Sequence, residues 1–367
     1  MYTPPDMPHT ILILLFGDLG DTLLAVPALR AVRRRFPHST VLVMAKPLPG
    51  RYVCELGLAD EVIDVDKHAL DRMRSLLSPV TVMRLLRMSW HLRRRNVDQL
   101  VVFQHFTTAW GSLKYAFLAI ATGAPMRAGL DNGRGWFLTH RAQDRGFGAV
   151  HESHYWLEVA SLLGAPGEAV LEAAISDGDA RSADLLLRER GLESGEMLAI
   201  HPGVGWYGPG RQWGPDRFAE AARLILQERP IRCVLVGTES DRAAADTMMS
   251  ALGDRIVDLV GMTSTGELAA VLQRCAALLS NDGGVAHLAA AVHTRTLTVF
   301  GPSNDAAWHP LGGEVISVDL PCRPCFYRDF EIGLRNGCAT RECLTEITPA
   351  QVAGRALALL GAVPVGL

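Results

Sequence analysis

Two glycine-containing turns hold residue types that can take part in chemistry. The first, "GDLGD", follows the apolar run TILILLF and places Asp21 at the start of a helical pattern. Free backbone amides and the helix dipole at such a position favour an ionised carboxylate. An ionised carboxylate can accept a proton from a hydroxyl group, but aspartate is also a common helix cap. This turn alone therefore leaves both a general base and a helix cap open for Asp21.

The second turn is "SNDGGVAHLAAAV", which also joins a strand pattern to a helical pattern. Gly283 and Gly284 follow Asp282, and His287 falls in the first helical turn. Glycines at a helix N-terminus let a diphosphate approach the free N–H groups closely. The alternative is a packed Gly-Gly turn capped by the aspartate, with His287 as an ordinary polar helix residue.

Two further loops carry residues suited to a nucleotide. "HPGVGWYGPGRQWGP" holds Gly203, Val204 and Arg211. The planar fork of an arginine suits a diphosphate, although a surface arginine needs no ligand. "VLVGTESDR" ends a strand pattern at Glu239, where a carboxylate can bind the two hydroxyls of a ribose or cap the next helix.

Four of the seven cysteines crowd into "CRPCFYRDFEIGLRNGCATREC". Their spacing, a CxxC pair and a second pair with a four-residue gap, resembles a tetrahedral thiolate site. We expect a structural zinc or iron ion there, with free or partly oxidised thiols as the alternative. The proposed ligands are Cys322, Cys325, Cys338 and Cys343.

The elements that must position these residues alternate between strand and helix patterns along the whole chain of 367 residues. This alternation predicts an α/β protein with two Rossmann-like, doubly wound lobes. We place the lobes at residues 1–180 and 181–367, the second ending in a C-terminal helix. Such sheets bind ligands at the carboxyl ends of their strands, which predicts a central cleft.

Composition excludes several classes of protein. Apolar residues make up 49% and charged residues 20% of the chain, as in ordinary globular proteins. A net charge of −3 gives no support for nucleic-acid binding. The apolar run near the start is too short to cross a bilayer and lacks a basic region before it, so we expect a cytoplasmic protein.

Taken in order, these motifs resemble the heptosyltransferase family, glycosyltransferase family 9. The resemblance rests on "GDLGDTLLAVPALRAVRRRFP", "HPG" followed by "RQW", "SNDGGVAHLAAAV", "VFGPSN" and the cysteine segment. It implies a GT-B fold and transfer of heptose from ADP-heptose to a lipopolysaccharide core, with inversion at the anomeric carbon. It implies no catalytic metal ion, and at most peripheral contact with the inner face of the cytoplasmic membrane.

The resemblance also assigns roles to individual residues. Asp21 resembles the base that deprotonates the acceptor, and Arg211 stands where relatives usually have a lysine that contacts the diphosphate. The other donor-binding positions implied are Gly203 and Val204 through the backbone, Glu239 at the ribose, Met262 or Thr263 at the adenine edge, and Asp282, Gly283, Gly284 and His287 at the sugar and phosphates. Gly283 stands where some relatives have threonine.

The acceptor is the least defined part of this prediction. We expect contacts from the first lobe, where the cations Lys114, Arg127 and Arg134 follow the strand DQLVVFQ, although surface cations explain them equally. A transferase that uses another nucleotide sugar, or one that modifies a protein, is the nearest alternative, because some protein-modifying relatives carry a comparable iron-bound cysteine cluster. A non-catalytic nucleotide-binding protein is the alternative from a different class.

Overall fold

The structure is a computed structural model that describes residues 8–64, 79–193, 195–205 and 207–361. The chain divides into two compact units, Met1–Val170 and Leu171–Leu367. Each unit contains one six-stranded sheet whose strands are all parallel, flanked by helices. The predicted α/β class is therefore confirmed.

The first unit forms its sheet from buried apolar runs, as parallel strands covered on both faces require. Its strands are β1 (Thr10–Leu15), β2 (Thr40–Ala45), β3 (Glu61–Asp64), β4 (Gln99–Val102), β5 (Met126–Asp131) and β6 (His140–Gln143), in the spatial order β3-β2-β1-β4-β5-β6. Its helices are α1 (Leu19–Arg35), α2 (Pro47–Glu55), α3 (Pro79–Arg93), α4 (Ala109–Thr122) and α5 (Glu152–Ser161).

Alternating side chains of β1 supply the core on both faces of this sheet. Ile11, Ile13 and Leu15 pack with residues of α1 and α5. Leu12 and Leu14 point to the other face, where they pack with residues of α3 and α4. A helix on each face is what allows every residue from Ile11 to Leu15 to be apolar.

The second unit repeats this design. Its main sheet contains β7 (Met197–His201), β8 (Arg232–Leu235), β9 (Ile256–Asp258), β10 (Ala277–Asn281), β11 (Arg295–Val299) and β12 (Glu314–Ile316), in the order β12-β11-β10-β7-β8-β9. A separate hairpin is formed by β13 (Phe326–Arg328) and β14 (Glu331–Gly333). The helices are α6 (Asp177–Glu189), α7 (Pro215–Glu228), α8 (Arg242–Leu252), α9 (Thr265–Gln273), α10 (Gly284–Ala291), α11 (Asp305–Trp308), α12 (Glu342–Thr345) and α13 (Pro349–Gly361).

The boundary between the units lies after Val170, ten residues before the predicted position at 180. The reason is that α6, which the prediction cut at residue 180, packs against α9 of the second unit. Arg274 donates a hydrogen bond of 2.6 Å to Asp184, and the carboxyl group of Asp179 lies against Gly266. Helix α6 therefore belongs to the second unit as a whole.

Both sheets reverse their direction of winding at one point. In the first unit the chain proceeds from β1 outward to β3 and then returns to the other side of β1 with β4. In the second unit the corresponding reversal lies between β7 and β10. Open α/β sheets bind ligands in the crevice at the carboxyl ends of the strands beside such a reversal.

Within the described ranges, every helix is too short or too polar to cross a bilayer.

Candidate functional site

Asp21 lies at the carboxyl end of β1, beside the reversal of the first sheet. It is the third residue of α1 and forms a capping box with Asp18, whose backbone N–H donates to Asp21 Oδ2 at 2.8 Å. Lys46, just after β2, holds the Asp18 carboxylate through a contact of 2.6 Å between Nζ and Oδ1. Asp21 is thus a capping residue, and its carboxylate lies at the edge where ligands bind.

The pKa of Asp21 is higher than that of an ordinary aspartate at a helix N-terminus. Desolvation by burial, with the negative charges of Asp18 and Glu152, raises the pKa of Asp21 to about 6 against the hydrogen bond from Asp18 and the charge of Lys46. The side chain is nevertheless reached by solvent, which opposes part of the desolvation but leaves both negative neighbours in place. Burial and like charges therefore outweigh the helix dipole in setting this pKa. With a pKa of about 6 this carboxylate is still mostly ionised at pH 7, roughly nine parts in ten.

A buried triad of charges lies next to this position. His105 Nδ1 is 3.0 Å from Asp144 Oδ1, and His105 Nε2 is 3.2 Å from Glu152 Oε2. All three side chains are buried, and Asn132 donates a hydrogen bond of 3.0 Å to the other oxygen of Asp144. Burial alone lowers the pKa of His105, but the charge of Glu152 and hydrogen bonds to both carboxylates reverse this and raise it to about 10. The imidazole is therefore a buried cation.

Strand order explains why these three residues meet. His105 follows β4, Asp144 directly follows β6, and Glu152 is the first residue of α5, which packs against α1. All of them therefore reach the carboxyl edge of one sheet. The triad was not predicted from the sequence, although a polar residue just after a buried strand, as at His105, indicates a position at the carboxyl edge of the sheet.

The predicted acceptor cations occupy different places in the first unit. Arg127 is the second residue of β5, at the amino end of that strand, and its guanidinium donates to the backbone oxygens of Phe137 and Ala124 at 2.7 and 2.9 Å. It does not reach the edge that holds Asp21, because parallel strands share one carboxyl edge. Arg134 does lie near that edge, donating to the carbonyls of Phe106 and Thr107 at 3.1 Å. Lys114 lies half-buried on α4.

The carboxyl edge of the second sheet brings most of the predicted donor residues together at its reversal. Asn281, the last residue of β10, donates from Nδ2 to the carbonyl of Pro202 at 2.7 Å, and its Oδ1 accepts from the N–H of Trp213 at 2.9 Å. The amide thus fastens the loop after β7 to the loop after β10. Asn281 was not among the predicted residues.

Asp282 and Arg211 form an ion pair at this edge. Arg211 Nη1 lies 3.3 Å from Asp282 Oδ2, which also accepts from Ser303 Oγ at 2.6 Å. Arg211 Nη2 donates to the carbonyls of Tyr207 and Val204 at 2.7 and 3.2 Å. The predicted fork therefore lies at the predicted edge, but its donors are directed to its own loop and to Asp282.

The three predicted glycines serve different purposes. A Cβ at Gly203 would lie 1.9 Å from Asp241 Oδ1, so glycine is needed there for the buried aspartate. Gly283 caps α10 in an extended conformation, and a Cβ there would meet no heavy atom within 4 Å. Gly284 begins the helix, whose first N–H groups have no partner inside the helix. Gly283 thus has open space beside it, next to helix N–H groups that are suited to an anion.

His287 lies in the first turn of α10 and is buried. Burial lowers its pKa to about 4, helped by the charges of His309 and Arg211 and opposed by Asp282. The imidazole is therefore neutral at pH 7, so it can offer a hydrogen bond to a ligand but no charge.

Glu239 and the predicted adenine edge are also brought together. Glu239 lies in a short turn after β8, and a Cβ added to Gly261 would be 2.6 Å from its Oε2. Gly261 is followed by Met262, which is partly exposed and whose sulfur accepts from Arg190 at 3.2 Å, and by the half-buried Thr263. A carboxylate thus lies directly beside a partly apolar turn.

The cysteine segment packs against the loop that holds Arg211. The backbone N–H of Gly210 donates to Arg335 at 3.2 Å, and a Cβ at Gly210 would be 2.3 Å from the nitrogen of Gly337. The Arg335 guanidinium lies 5.2 Å from the ring centroid of Tyr207, and that of Arg211 lies 5.8 Å from the ring centroid of Phe326 in β13. The shape of the segment and the shape of the Arg211 loop therefore depend on each other.

The four predicted ligands lie around the hairpin of β13 and β14. Cys322 and Cys338 are exposed, Cys325 is half-buried just before β13, and Cys343 is buried in α12. They lie close enough to act on one another, since burial and then the charges of Cys325, Cys338 and Cys322 raise the pKa of Cys343, to about 11. Among the described residues, no three His, Cys, Asp or Glu side chains are arranged as a metal-binding group. The metal ion stays a prediction.

Comparison with known proteins gives a family. Residues 85–333 match the model of glycosyltransferase family 9 (heptosyltransferase). A curated relative, lipooligosaccharide heptosyltransferase 2 of Haemophilus influenzae, is 25% identical over 133 residues, and this match spans 34% of the chain and 38% of that relative. Lipopolysaccharide heptosyltransferase 1 of Pseudomonas aeruginosa is 25% identical over 95% of the chain and 98% of its own length.

A solved structure confirms the fold. The chain aligns with Escherichia coli ADP-heptose lipopolysaccharide heptosyltransferase II at a TM-score of 0.70 and 20% identity, covering 96% of this chain and 98% of that one. The predicted GT-B fold class is thereby confirmed.

Proposed function

Because the chain belongs to glycosyltransferase family 9 (heptosyltransferase), we propose that it transfers heptose from ADP-heptose to a hydroxyl of a lipopolysaccharide core, with inversion at the anomeric carbon. One observation carries the proposal. The anion-binding backbone at 283–284, with Arg211 nearby, occupies the reversal of the second sheet, and a titratable carboxylate, Asp21, occupies the reversal of the first.

Donor binding uses the second unit. The free amides at 283–284 receive the diphosphate, and Glu239 beside Gly261 receives the ribose hydroxyls. Arg211 adds a positive charge, and it reaches the diphosphate by exchanging carbonyl partners in its own loop for phosphate oxygens. Asp282 keeps Arg211 in place and, held by Ser303, is shielded from the phosphates.

The transfer itself is a single displacement. Asp21 takes the proton of the acceptor hydroxyl while the oxygen bonds to the anomeric carbon, and the bond from that carbon to the diphosphate breaks. The electron pair leaves with ADP, whose developing charge Arg211 and the 283–284 amides stabilise. The reaction as proposed needs no catalytic metal ion, so EDTA treatment that leaves the proposed cysteine-bound ion in place is expected to leave its rate unchanged.

Asp21→Asn tests the base. A positioned base contributes about 10²–10⁴-fold in rate, so turnover is expected to fall by that factor while the calorimetric affinity for ADP stays within about twofold. Asp179→Asn is the matched control, since Asp179 holds the same capping-box position in α6 and the change weakens this cap and a 3.5 Å contact with Ser264 of the second unit. Equal turnover in wild type and Asp21→Asn rejects Asp21 as the base.

The donor and the acceptor are identified by mass spectrometry on the purified chain. ADP-heptose, UDP-sugars and GDP-sugars are each offered with truncated lipopolysaccharide cores or with peptides, and added sugar mass is scored. Transfer to a core from ADP-heptose is expected. Transfer only to peptides identifies a protein-modifying enzyme, and nucleotide binding without transfer or sugar release identifies a non-catalytic protein. A cytoplasmic location is part of the proposal.

We also propose that Cys322, Cys325, Cys338 and Cys343 hold a structural zinc or iron ion. Thiolates suit both metals, and the four thiols already lie around one hairpin. The ion would fix this hairpin against the Arg211 loop. Elemental analysis is expected to find close to one zinc or iron per chain, and a metal content near zero in protein purified without chelator rejects the ion.

A further inference from the structure

The outer faces of α3 and α4 expose an unusual set of apolar side chains. Four lie on α3 and two on α4, and each is 51–63% exposed: Val80, Met83, Leu86, Trp90, Leu113 and Ile120. We call these six residues the apolar surface. On α3, the residues at 83, 86 and 90 recur with helical spacing, so they form one stripe. The two helices pack against each other, as the position of the Arg93 guanidinium over Gly123 at the end of α4 also indicates.

The charged residues of α3 and α4 all have one sign. The sequences of α3 and α4 contain no aspartate and no glutamate. Arg87, His91 and Arg94 are exposed on or just after α3, and the Arg94 guanidinium lies 4.4 Å from the ring centroid of Trp90. Arginines beside exposed apolar side chains, with a tryptophan among them, are typical of helices that lie in a membrane interface.

We propose that the apolar surface binds the headgroup region of an anionic lipid bilayer. Large exposed apolar patches mark interaction sites, and the arginines here select a partner with negative charge. A second copy of the chain fits poorly, since a two-fold interface of these helices would join two basic surfaces with no carboxylate on α3 or α4 to pair with Arg87 and Arg94. The long arginine side chains can reach lipid phosphates while Met83, Leu86 and Trp90 enter the boundary with the acyl chains.

Sedimentation with vesicles tests this proposal without any donor or acceptor, so its result is independent of the proposed transfer reaction. The full chain is expected to bind vesicles containing one third phosphatidylglycerol at least tenfold more strongly than pure phosphatidylcholine vesicles, and to lose most of this preference at 0.5 M NaCl. The double variant Met83→Glu/Leu86→Glu is expected to reduce binding to anionic vesicles at least tenfold. The matched control is Leu185→Glu, which places the same charge at an exposed leucine of α6 and is expected to bind as wild type does.

A second variant covers the case in which the double variant does not fold. Arg87→Gln/Arg94→Gln keeps the apolar residues and is expected to reduce binding to anionic vesicles about tenfold, with no change for phosphatidylcholine. Wild type that ignores anionic vesicles overturns the proposal, as does equal loss of binding in Leu185→Glu. Self-association that Met83→Glu/Leu86→Glu abolishes, without vesicle binding by wild type, overturns it in favour of an interface between copies.

Discussion

The triad of His105, Asp144 and Glu152 offers a direct test of the electrostatic reasoning about the first unit. His105→Gln removes the buried cation and leaves two buried carboxylates without it. Removing one partner of a buried ion pair costs about 3–5 kcal/mol, because the remaining charge is neither solvated nor paired. We expect this loss in the free energy of unfolding of the first unit. His154→Gln, which changes an exposed histidine of α5, is expected to cost less than about 0.5 kcal/mol.

The dependence on pH follows from the raised pKa of His105. A pKa that rises from 6.5 to about 10 on folding stabilises the folded state on the order of 4–5 kcal/mol at low pH, since one pH unit corresponds to about 1.4 kcal/mol. The folded state binds the proton more tightly, so this stabilisation is complete below pH 6.5 and is lost as the pH rises through 10. Between pH 7 and pH 9 the loss amounts to about 2.5 kcal/mol.

Hydrogen exchange in urea, followed by mass spectrometry at the amides of β4 and β5, measures the first unit separately from the second. The reference is a neutral triad, His105→Gln/Asp144→Asn/Glu152→Gln, which has similar volume and no titrating group at these positions. The free energy of unfolding of the wild type, relative to that of this reference, is expected to fall by about 2.5 kcal/mol from pH 7 to pH 9. A difference that does not change with pH refutes the buried imidazolium. So does a His105→Gln variant as stable as His154→Gln.

Three further predictions concern the two sheet edges. Gly283→Thr is expected to leave the stability unchanged, since no heavy atom lies within 4 Å of a Cβ there and the backbone is extended. It is also expected to tighten ADP binding about two- to tenfold, because the threonine adds a hydroxyl donor. Weaker binding of ADP in calorimetry contradicts this prediction. The chemical step is expected to slow below pH 6 by about tenfold per pH unit, following the raised pKa of Asp21, whereas a rate still maximal at pH 5 fits an ordinary aspartate. Gly210→Ala would place a Cβ 2.3 Å from the nitrogen of Gly337, so the affinity for ADP is expected to fall about tenfold. The control is Gly354→Ala on α13, where a Cβ has no neighbour within 4 Å and the affinity is expected to stay unchanged. Equal affinity in both variants rejects the link between the cysteine segment and the Arg211 loop.

The sequence predicted the fold well where apolar runs were long and their neighbours clear. TILILLF became β1, and the helical pattern that follows it became α1. The strand β6, with the sequence HRAQ, has only one buried residue and left no apolar signal. The boundary at 180 was late because only the packing of α6 on α9, which no local pattern reveals, assigns that helix to the second unit.

The candidate site was predictable where one loop carries the chemistry, and not where strand order brings residues together. The glycines at 283–284 and Glu239 were proposed from their own loops, and they lie in turns after β10 and β8. The triad around His105 requires the order of β4 and β6 in the sheet, and the position of Arg127 requires knowing which end of β5 is the carboxyl end. The raised pKa of Asp21 was likewise not predictable from its own turn, because burial and the charge of Glu152, which is distant in sequence, depend on the folded unit.

The two sheet edges differ in charge in the way that their proposed tasks require. At the first edge, the carboxylates Asp18, Asp21, Asp144 and Glu152 outnumber the cations Lys46, His105 and Arg134 by one. Burial and this surplus of negative charge raise the proton affinity of Asp21, which suits a base that must take a proton near neutral pH. At the second edge, Asp282 is neutralised by Arg211, His287 carries no charge, and the free helix amides remain to attract an anion. Exchanging these environments would place a diphosphate among carboxylates, so the electrostatics support the proposed assignment of the base to the first unit and the donor to the second.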